Sequence, residues 1–375
     1  MSTKIYYVAN ARMPTEKAHG IQIAKMCEAF IEASADLTLV VPDRATDPRS
    51  LKEFYGLRLD VPIVRLPALN WYNGGRIGYR LASWSFMRSS LAFLRERLRA
   101  GERFVLYTVD LDDFSSSHLV RISMPLFSEM HGGKRPIRPM RRLFSRARGI
   151  ITINGLIRDE LRNTFPHSRA EYLVEPNGVD AAAFSPMEKS EARRMLGIPA
   201  EERLALYTGR FFDWKGLEII SAAAGEAPEV SWRLVGGTTE EYKALVPGEV
   251  PQNIRFEGER PHQEIRAWLS AADVLVVLGT KRDKQSYYYT SPMKLFEYLC
   301  VGRPIVASST PAMKQIVNER EVFFYEPDDA RDLAEKVRYT LTHQSERANA
   351  ARALAKRHSW KERARRILSF IETTI

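Results

Sequence analysis

Residues 291–308 read SPMKLFEYLCVGRPIVAS. Ser291-Pro292 is a helix-start signal, with Ser291 expected as the N-cap and Pro292 at the first helical position. Gly302 followed by Pro304 is a stop signal, and PIVAS (304–308) then reads as a short buried strand. A helix that runs straight into an apolar strand is one step of a strand–helix alternation. The same step recurs along the chain. KIYYVAN (4–10) reads as a strand, 19–34 as a helix burying Ile23, Cys27, Phe30 and Ile31, and DLTLVVP (36–42) as the next strand. RFVLYTV (103–109), GIITIN (149–154) and AEYLVEPN (170–177) follow. After PNGVDAAAFSP (176–186) the series restarts with RLALYTG (203–209), SWRLVGG (231–237), NIRFEG (253–258), DVLVVLG (273–279), PIVAS and EVFFYE (321–326). This alternation predicts α/β architecture with parallel sheets covered on both faces. Two series predict two doubly wound domains, 1–180 and 181–357, hinged near 176–186, with the C-terminal helix 358–375 joined to the first. In such sheets ligands bind outside the carboxyl ends of the strands, against helix N-termini. Two such domains facing one another make a cleft, and the chemistry is expected there.

Composition agrees with this size of fold. At 375 residues and 45% hydrophobic, the chain can bury large cores, and its length favours two domains. The two cysteines, Cys27 and Cys300, both fall in apolar helical patterns. That excludes a disulfide framework and fits a reducing cytoplasm. MSTKIYYVAN holds too short an apolar run for a signal peptide, and no stretch reaches transmembrane length, so a soluble or peripheral cytoplasmic protein is expected. The net charge of +10 is uneven. Residues 1–175 hold 27 Lys+Arg against 18 Asp+Glu, or +9, and the remaining 200 hold 29 against 28, or +1. A basic half and a near-neutral half imply different partners for each.

Three stretches carry candidate chemistry. In the opening helix the backbone N–H groups of Met293 and Lys294 have no acceptor within the helix, and such a terminus suits a phosphate. Glu297, a little over one turn on, is placed to accept hydrogen bonds from vicinal hydroxyls such as those of a ribose. In YTGRFFDWKG (207–216), Gly209 permits a tight turn after a strand, and Arg210 and Lys215 are suited to a diphosphate. In SEMHGG (128–133), His131 precedes a glycine pair and is expected on an exposed turn. The loop NARMPTEKAHG (10–20) is long for a strand-to-helix connection. It ends at Gly20, whose N–H is expected to approach a ligand.

Taken in order, these pieces resemble family 4 glycosyltransferases, which have the GT-B fold of two facing Rossmann-like domains. The resemblance rests on KAHGIQIAKMCEAF, Glu129 and His131, NGVD (177–180), GRFFDWKG and SPMKLFEYLCVGRPIVAS. It implies that Arg210 and Lys215 bind the donor diphosphate, that Glu297 binds the ribose, that His131 lies by the donor sugar and that the Gly20 loop closes over the phosphates. Many members carry two glutamates with seven residues between them. Here Tyr289, after Tyr287 and Tyr288, occupies the first position. The resemblance thus implies a retaining, metal-independent transferase. It would take a nucleotide sugar as substrate, with no cofactor, and a glycan or lipid-linked hydroxyl as acceptor. A nucleotide-sugar epimerase or phosphorylase is an alternative within the fold, and a basic scaffold or nucleic-acid binder is one outside it.

Two further stretches are weighed against this reading. DLDD (110–113) looks like the Asp-x-Asp metal motif of the other glycosyltransferase fold, but it lies in the acceptor half, and no metal site is expected. KRPIRPMRRLFSRAR (134–148) has seven basic residues and few aromatics, which favours an anionic surface over nucleic acid. In 76–99, Ile77, Leu81, Trp84, Met87, Leu91, Leu94 and Leu98 form one stripe, expected to pack inward. Tyr79, Phe86 and Phe93 form a second stripe, expected to face water. With the arginines from Arg76 to Arg103, residues 76–103 and 134–148 are expected to dock on the inner face of an anionic membrane.

Overall fold

The computed structural model describes residues 3–44, 46–343 and 346–375. The chain forms two compact units, Met1–Pro176 with Trp360–Ile375, and Asn177–Ser359.

The first unit is built on seven strands: β1 (Lys4–Val8), β2 (Asp36–Pro42), β3 (Ile63–Leu66), β4 (Val105–Val109), β5 (Leu126–Met130), β6 (Gly149–Thr152) and β7 (Glu171–Val174). They are all parallel, in the order β3-β2-β1-β4-β5-β6-β7. Successive residues of β1 and β2 are buried whichever face they point to, as for Tyr7 with Val8 and Leu39 with Val40. That is why these strands read as apolar runs rather than alternations. Two strands escape the sequence reading. β3 is a four-residue edge strand between Pro62 and Pro67. β5, LFSEM, has Ser128 and Glu129 in its middle, and both are fully buried.

The helix Gly75–Arg99 corrects the expected stripes. Its buried residues are Gly78, Ala82, Ser83, Phe86, Met87, Ser90, Leu91 and Leu94. Phe86, expected in water, is inside, while Ile77 (74% exposed), Leu81 and Trp84 face solvent. The small residues set this rotation, because they permit the closest approach. A Cβ on Gly78 would lie 2.4 Å from the carbonyl oxygen of Trp71, and Ser83 accepts a hydrogen bond from Asn10 Nδ2 at 2.9 Å.

The last helix, Trp360–Thr374, packs on the first unit through Arg363, Ala364, Ile367 and Ile371. Phe370 meets Phe127 of β5 edge-on at 5.8 Å. Gly149 makes room for both rings, since a Cβ there would come within 2.6 Å of each.

The second unit has six parallel strands: β8 (Leu204–Thr208), β9 (Ser231–Val235), β10 (Ile254–Gly258), β11 (Val274–Val277), β12 (Ile305–Ser308) and β13 (Phe323–Tyr325). Their order is β10-β9-β8-β11-β12-β13. Alternate residues of β8 enter two separate cores. Leu204 and Leu206 pack with Leu295 and Leu299, and Ala205 and Tyr207 with Ile220 and Leu333. Strand order turns at β8, so the loop after Thr208 emerges at the switch point of this sheet, where doubly wound folds bind ligands.

Candidate functional site

At the carboxyl end of β8 the chain turns through Gly209, with φ +121°, a conformation that L side chains rarely adopt. Gly236, with φ +124°, does the same after β9, and a Cβ on it would lie 2.7 Å from the Gly209 carbonyl carbon. These two glycines let the two loops touch, and leave the Gly209 backbone open to the side chains that converge on it.

Two ammonium groups converge there, those of Lys215 and Lys294, with Arg210 next in the chain. Lys215 ends a single turn, Asp213–Lys215, closed by Gly216 with φ +72°. Its Nζ donates to the carbonyl of Arg210 at 2.8 Å. The Lys215 pKa is pushed down to about 8, first by burial and then by the Arg210 charge. Lys294 reaches back from the helix Met293–Val301, donates to the carbonyl of Thr208 and places its ammonium 3.7 Å from the centre of the Tyr207 ring. Burial, then Lys215, hold its pKa well below the ordinary lysine range against the pull of Glu297. The Arg210 guanidinium meets Glu259 at 3.2 Å. Burial and like charge both disfavour the ionised lysines, and a bound anion would relieve both.

The helix start differs from expectation. Pro292, with φ −72° and ψ 121°, is extended, so the helix begins at Met293 and Pro292 is its boundary residue. Ser291 is not the N-cap. Its hydroxyl accepts from the Asn177 backbone N–H at 3.0 Å, and its carbonyl accepts from Asn177 Nδ2 at 2.7 Å. The asparagine of the NGVD stretch thereby fixes the segment that leads into the helix. The N–H groups of Met293 and Lys294 remain without an acceptor inside the helix. The helix is tied to β8 by Tyr298, whose hydroxyl accepts from Thr208 N–H at 2.8 Å. It closes, as its sequence requires, at Gly302 with φ +70°.

Glu297 is 13% exposed and lies 2.8 Å from His262 Nε2. Tyr289 is buried at the end of the turn Gln285–Tyr289, with Lys284 Nζ 5.0 Å from its ring centre. Gly209, Arg210, Lys215, Met293, Lys294 and Glu297 therefore belong to one neighbourhood of the second unit. Sequence reading missed the Lys294 ammonium and His262. The first was legible, because a lysine three residues before Glu297 shares its helical face. His262 lies on a separate loop and left no local signal.

In the first unit His131 follows β5. It is not on an open turn: its side chain is 19% exposed and its Nε2 sits 2.7 Å from Glu129 Oε1. Gly20 also departs from expectation. Its N–H donates to the Lys17 carbonyl at 2.9 Å, and a Cβ there would lie 2.4 Å from the Tyr55 hydroxyl. It is a packing glycine in the helix Ala18–Glu32, and that N–H is already engaged. The DLDD carboxylates have local partners: Asp110 with Lys134 at 2.8 Å, Asp113 with Arg135 at 3.0 Å, and Asp112 with the N–H of Ser115 at 2.9 Å. Lys134 and Arg135 are accordingly neutralised within the basic tract.

Comparison with known proteins bears on this geometry. Residues 202–343 match the family described as Glycosyl transferases group 1. A protein named for teichuronic acid biosynthesis, the glycosyltransferase TuaC of Bacillus subtilis, is 23% identical over 216 residues, 55% of this chain and 50% of that protein. A D-inositol 3-phosphate glycosyltransferase of a Nocardioides species is 28% identical over 227 residues, 54% of this chain and 48% of that protein. The chain thus spans about half the length of these curated relatives. The solved structure of Anabaena Alr3699/HepE in complex with UDP-glucose superposes with a TM-score of 0.71 at 16% identity, covering 99% of each chain. Residues 202–343 match the model of the glycosyl transferases group 1 family, and the chain has the GT-B fold of two Rossmann-like units.

Proposed function

We propose that this chain is a retaining, metal-independent glycosyltransferase, moving a sugar from a nucleotide-sugar donor to a hydroxyl of a glycan or lipid-linked acceptor. The observation that carries the reading is the convergence of Lys215 and Lys294 on the Gly209 turn, with Arg210 the next residue, beside a helix start and Glu297. A diphosphate needs that density of positive charge, and a ribose needs an acceptor at about that remove. HepE, of the same fold, binds UDP-glucose.

In the reaction the bond from the anomeric carbon to the diphosphate oxygen breaks, and the acceptor oxygen bonds that carbon on the same face. The acceptor proton passes to an oxygen of the departing phosphate. Arg210, Lys215, Lys294 and the Met293 and Lys294 N–H groups stabilise the negative charge as it develops, the task a divalent ion performs elsewhere. Glu297 holds the ribose, and His131 takes the place beside the sugar that the family resemblance assigns it.

The relatives' names, for teichuronic acid biosynthesis and D-inositol 3-phosphate, support an acceptor in cell-surface polysaccharide or glycolipid synthesis. That favours a cytoplasmic enzyme held peripherally on the membrane. No described helix is long and apolar enough to cross one. In support of docking, Trp71 is 60% exposed, and Ile77, Leu81 and Trp84 are exposed as well.

A thermal-shift panel of nucleotide sugars, followed by turnover of the best stabiliser with and without EDTA, tests the reading. Stabilisation by one donor and chelator-resistant release of its nucleoside diphosphate are expected. No stabilisation by any donor, or activity abolished by EDTA and restored by manganese, rejects it.

A further inference from the structure

The first unit holds a buried charge cluster to which the transfer scheme above gives no role. Arg363, on the last helix, and Glu129, on β5, are both fully buried. Arg363 Nη2 donates to Glu129 Oε1 at 2.8 Å, and Nη1 lies 3.4 Å from Oε2. Backbone carbonyls fix the rest of the fork: Nε donates to Pro176 at 2.8 Å, and Nη2 also to Glu175 at 3.2 Å. Glu129 further accepts from Gln22 Nε2 at 2.9 Å and from the Tyr107 hydroxyl. His131 Nε2 completes the set at 2.7 Å.

Such a ring of partners dictates a protonation pattern. Guanidinium and amide N–H groups only donate, so a protonated Glu129 would face donors with a donor of its own. The carboxyl is therefore ionised. Burial by itself would raise its pKa, but Arg363 first and His131 next bring it below the usual carboxylate range. An ionised carboxylate only accepts, so the hydrogen between Glu129 and His131 sits on Nε2. In the neutral ring Nδ1 then has no hydrogen.

We propose that Arg363 is a positioning residue for His131: acting through Glu129, it fixes the imidazole as the Nε2–H tautomer and makes Nδ1 the accepting nitrogen. Whatever group meets Nδ1 must then donate, as a sugar hydroxyl does. Without the guanidinium, Glu129 would take up a proton at this depth and could donate it to Nε2, reversing the tautomer. The assignment rests on the reading of His131 as a functional residue, but its test needs no substrate.

The test is nitrogen-15 long-range correlation of the full chain labelled at its histidines, with His131→Gln identifying the resonance. The wild type is expected to show the Nε2–H pattern at His131. Glu129→Gln, which keeps the volume, and Arg363→Met, which removes the charge that holds Glu129 ionised, are expected to lose the single-tautomer signature while circular dichroism stays unchanged. Should Arg363→Met fail to fold, the pair Glu129→Gln with Arg363→Met leaves no orphaned charge and is expected to show the same loss. An Nδ1–H pattern in the wild type overturns the proposal, and so does an undisturbed Nε2–H pattern in the folded variants. Absence of nucleotide-sugar turnover would reject the proposed function and leave this measurement intact.

Discussion

Lys215 and Lys294 bring their ammonium groups to the same glycine. A Cβ built on Gly209 would lie 2.8 Å from Lys294 Nζ and 3.8 Å from Lys215 Nζ. Each ammonium donates to a backbone carbonyl, that of Arg210 or of Thr208. Two lysines so close, with backbone oxygens as their hydrogen-bond acceptors, form a site whose protonated state a bound anion would favour.

If that anion is the leaving diphosphate, removing one of its donors slows the chemical step. Lys215→Ala or Arg210→Ala is expected to lower kcat by about 100-fold or more, the scale of a lost oxyanion donor. Both residues lie on the loop after β8, outside the strand cores, so the melting temperature should change little. Steady-state release of nucleoside diphosphate measures the effect, and near-normal turnover in either variant removes these residues from the reaction.

The lowered lysine pKa values also predict how binding depends on pH. A bound diphosphate favours the protonated lysines, so above pH 8 its binding draws in protons. Affinity should therefore fall as pH rises through about 8, the pKa of Lys215, by at most about tenfold per pH unit for each proton taken up. Stability of the free protein moves the other way. Lys215 titrates near 8 when folded and near 10.5 as an ordinary lysine, so the unfolded chain binds more protons between those values and stability rises with pH there. Calorimetric titration with UDP at pH 7 and pH 9, each in two buffers of different ionisation enthalpy, reads both affinity and proton uptake. Equal affinity with no uptake would show that Lys215 does not meet the phosphates.

Glu297 and His131 should separate in their kinetics. Glu297 would grip the ribose before and during transfer, so Glu297→Ala should mainly raise the donor KM. His131→Ala should mainly lower kcat. His262, 2.8 Å from Glu297, should follow Glu297, with His262→Ala raising KM by a smaller factor. The opposite partition between Glu297 and His131 would mean their roles are exchanged.

What the sequence disclosed follows from which signals are local. Strands buried on both faces announce themselves as apolar runs, and the run DLTLVVP coincides with β2, Asp36–Pro42. Loop residues after β8 were legible because Gly, Arg and Lys have distinctive chemistry in a short span. β5 was hidden by the very residues that make it interesting, since Ser128 and Glu129 interrupt its apolar pattern. Glu129 meets Arg363 across 234 positions, and no window of sequence contains both. In the helix Gly75–Arg99 the stripe of large side chains holds at Met87, Leu91 and Leu94 and fails at Ile77, Leu81 and Trp84, because Gly78, Ala82, Ser83 and Ser90 mark the tighter contact.

That correction strengthens the membrane reading of the basic half. With the helix rotated, Ile77, Leu81 and Trp84 point outward, and Trp71 and Leu69 join them from the preceding segment, where Leu69 N–H donates to Ser85 Oγ at 3.2 Å. Arginines border this apolar surface. Arg88 lies 4.9 Å from the Trp84 ring centre, and Arg80 lies 3.9 Å from that of Phe114. Exposed Trp and Ile among arginines suit the interface of an anionic bilayer, where rings enter the headgroup layer and guanidinium groups stay with phosphates. Each basic residue near such a surface adds about 1 kcal/mol. Lys134 and Arg135 already have acidic partners, so the attraction must come from the exposed remainder, including Arg138, Arg141 and Arg142. Co-sedimentation with phosphatidylserine vesicles is expected to be strong at low salt and weak at high salt. Ile77→Ser with Trp84→Ser should weaken it at every salt concentration, whereas Arg138→Glu, Arg141→Glu and Arg142→Glu together should weaken it chiefly at low salt. Neither set should alter transfer to a soluble acceptor. A wild type that ignores anionic vesicles at low salt would return this surface to another partner and favour a soluble acceptor.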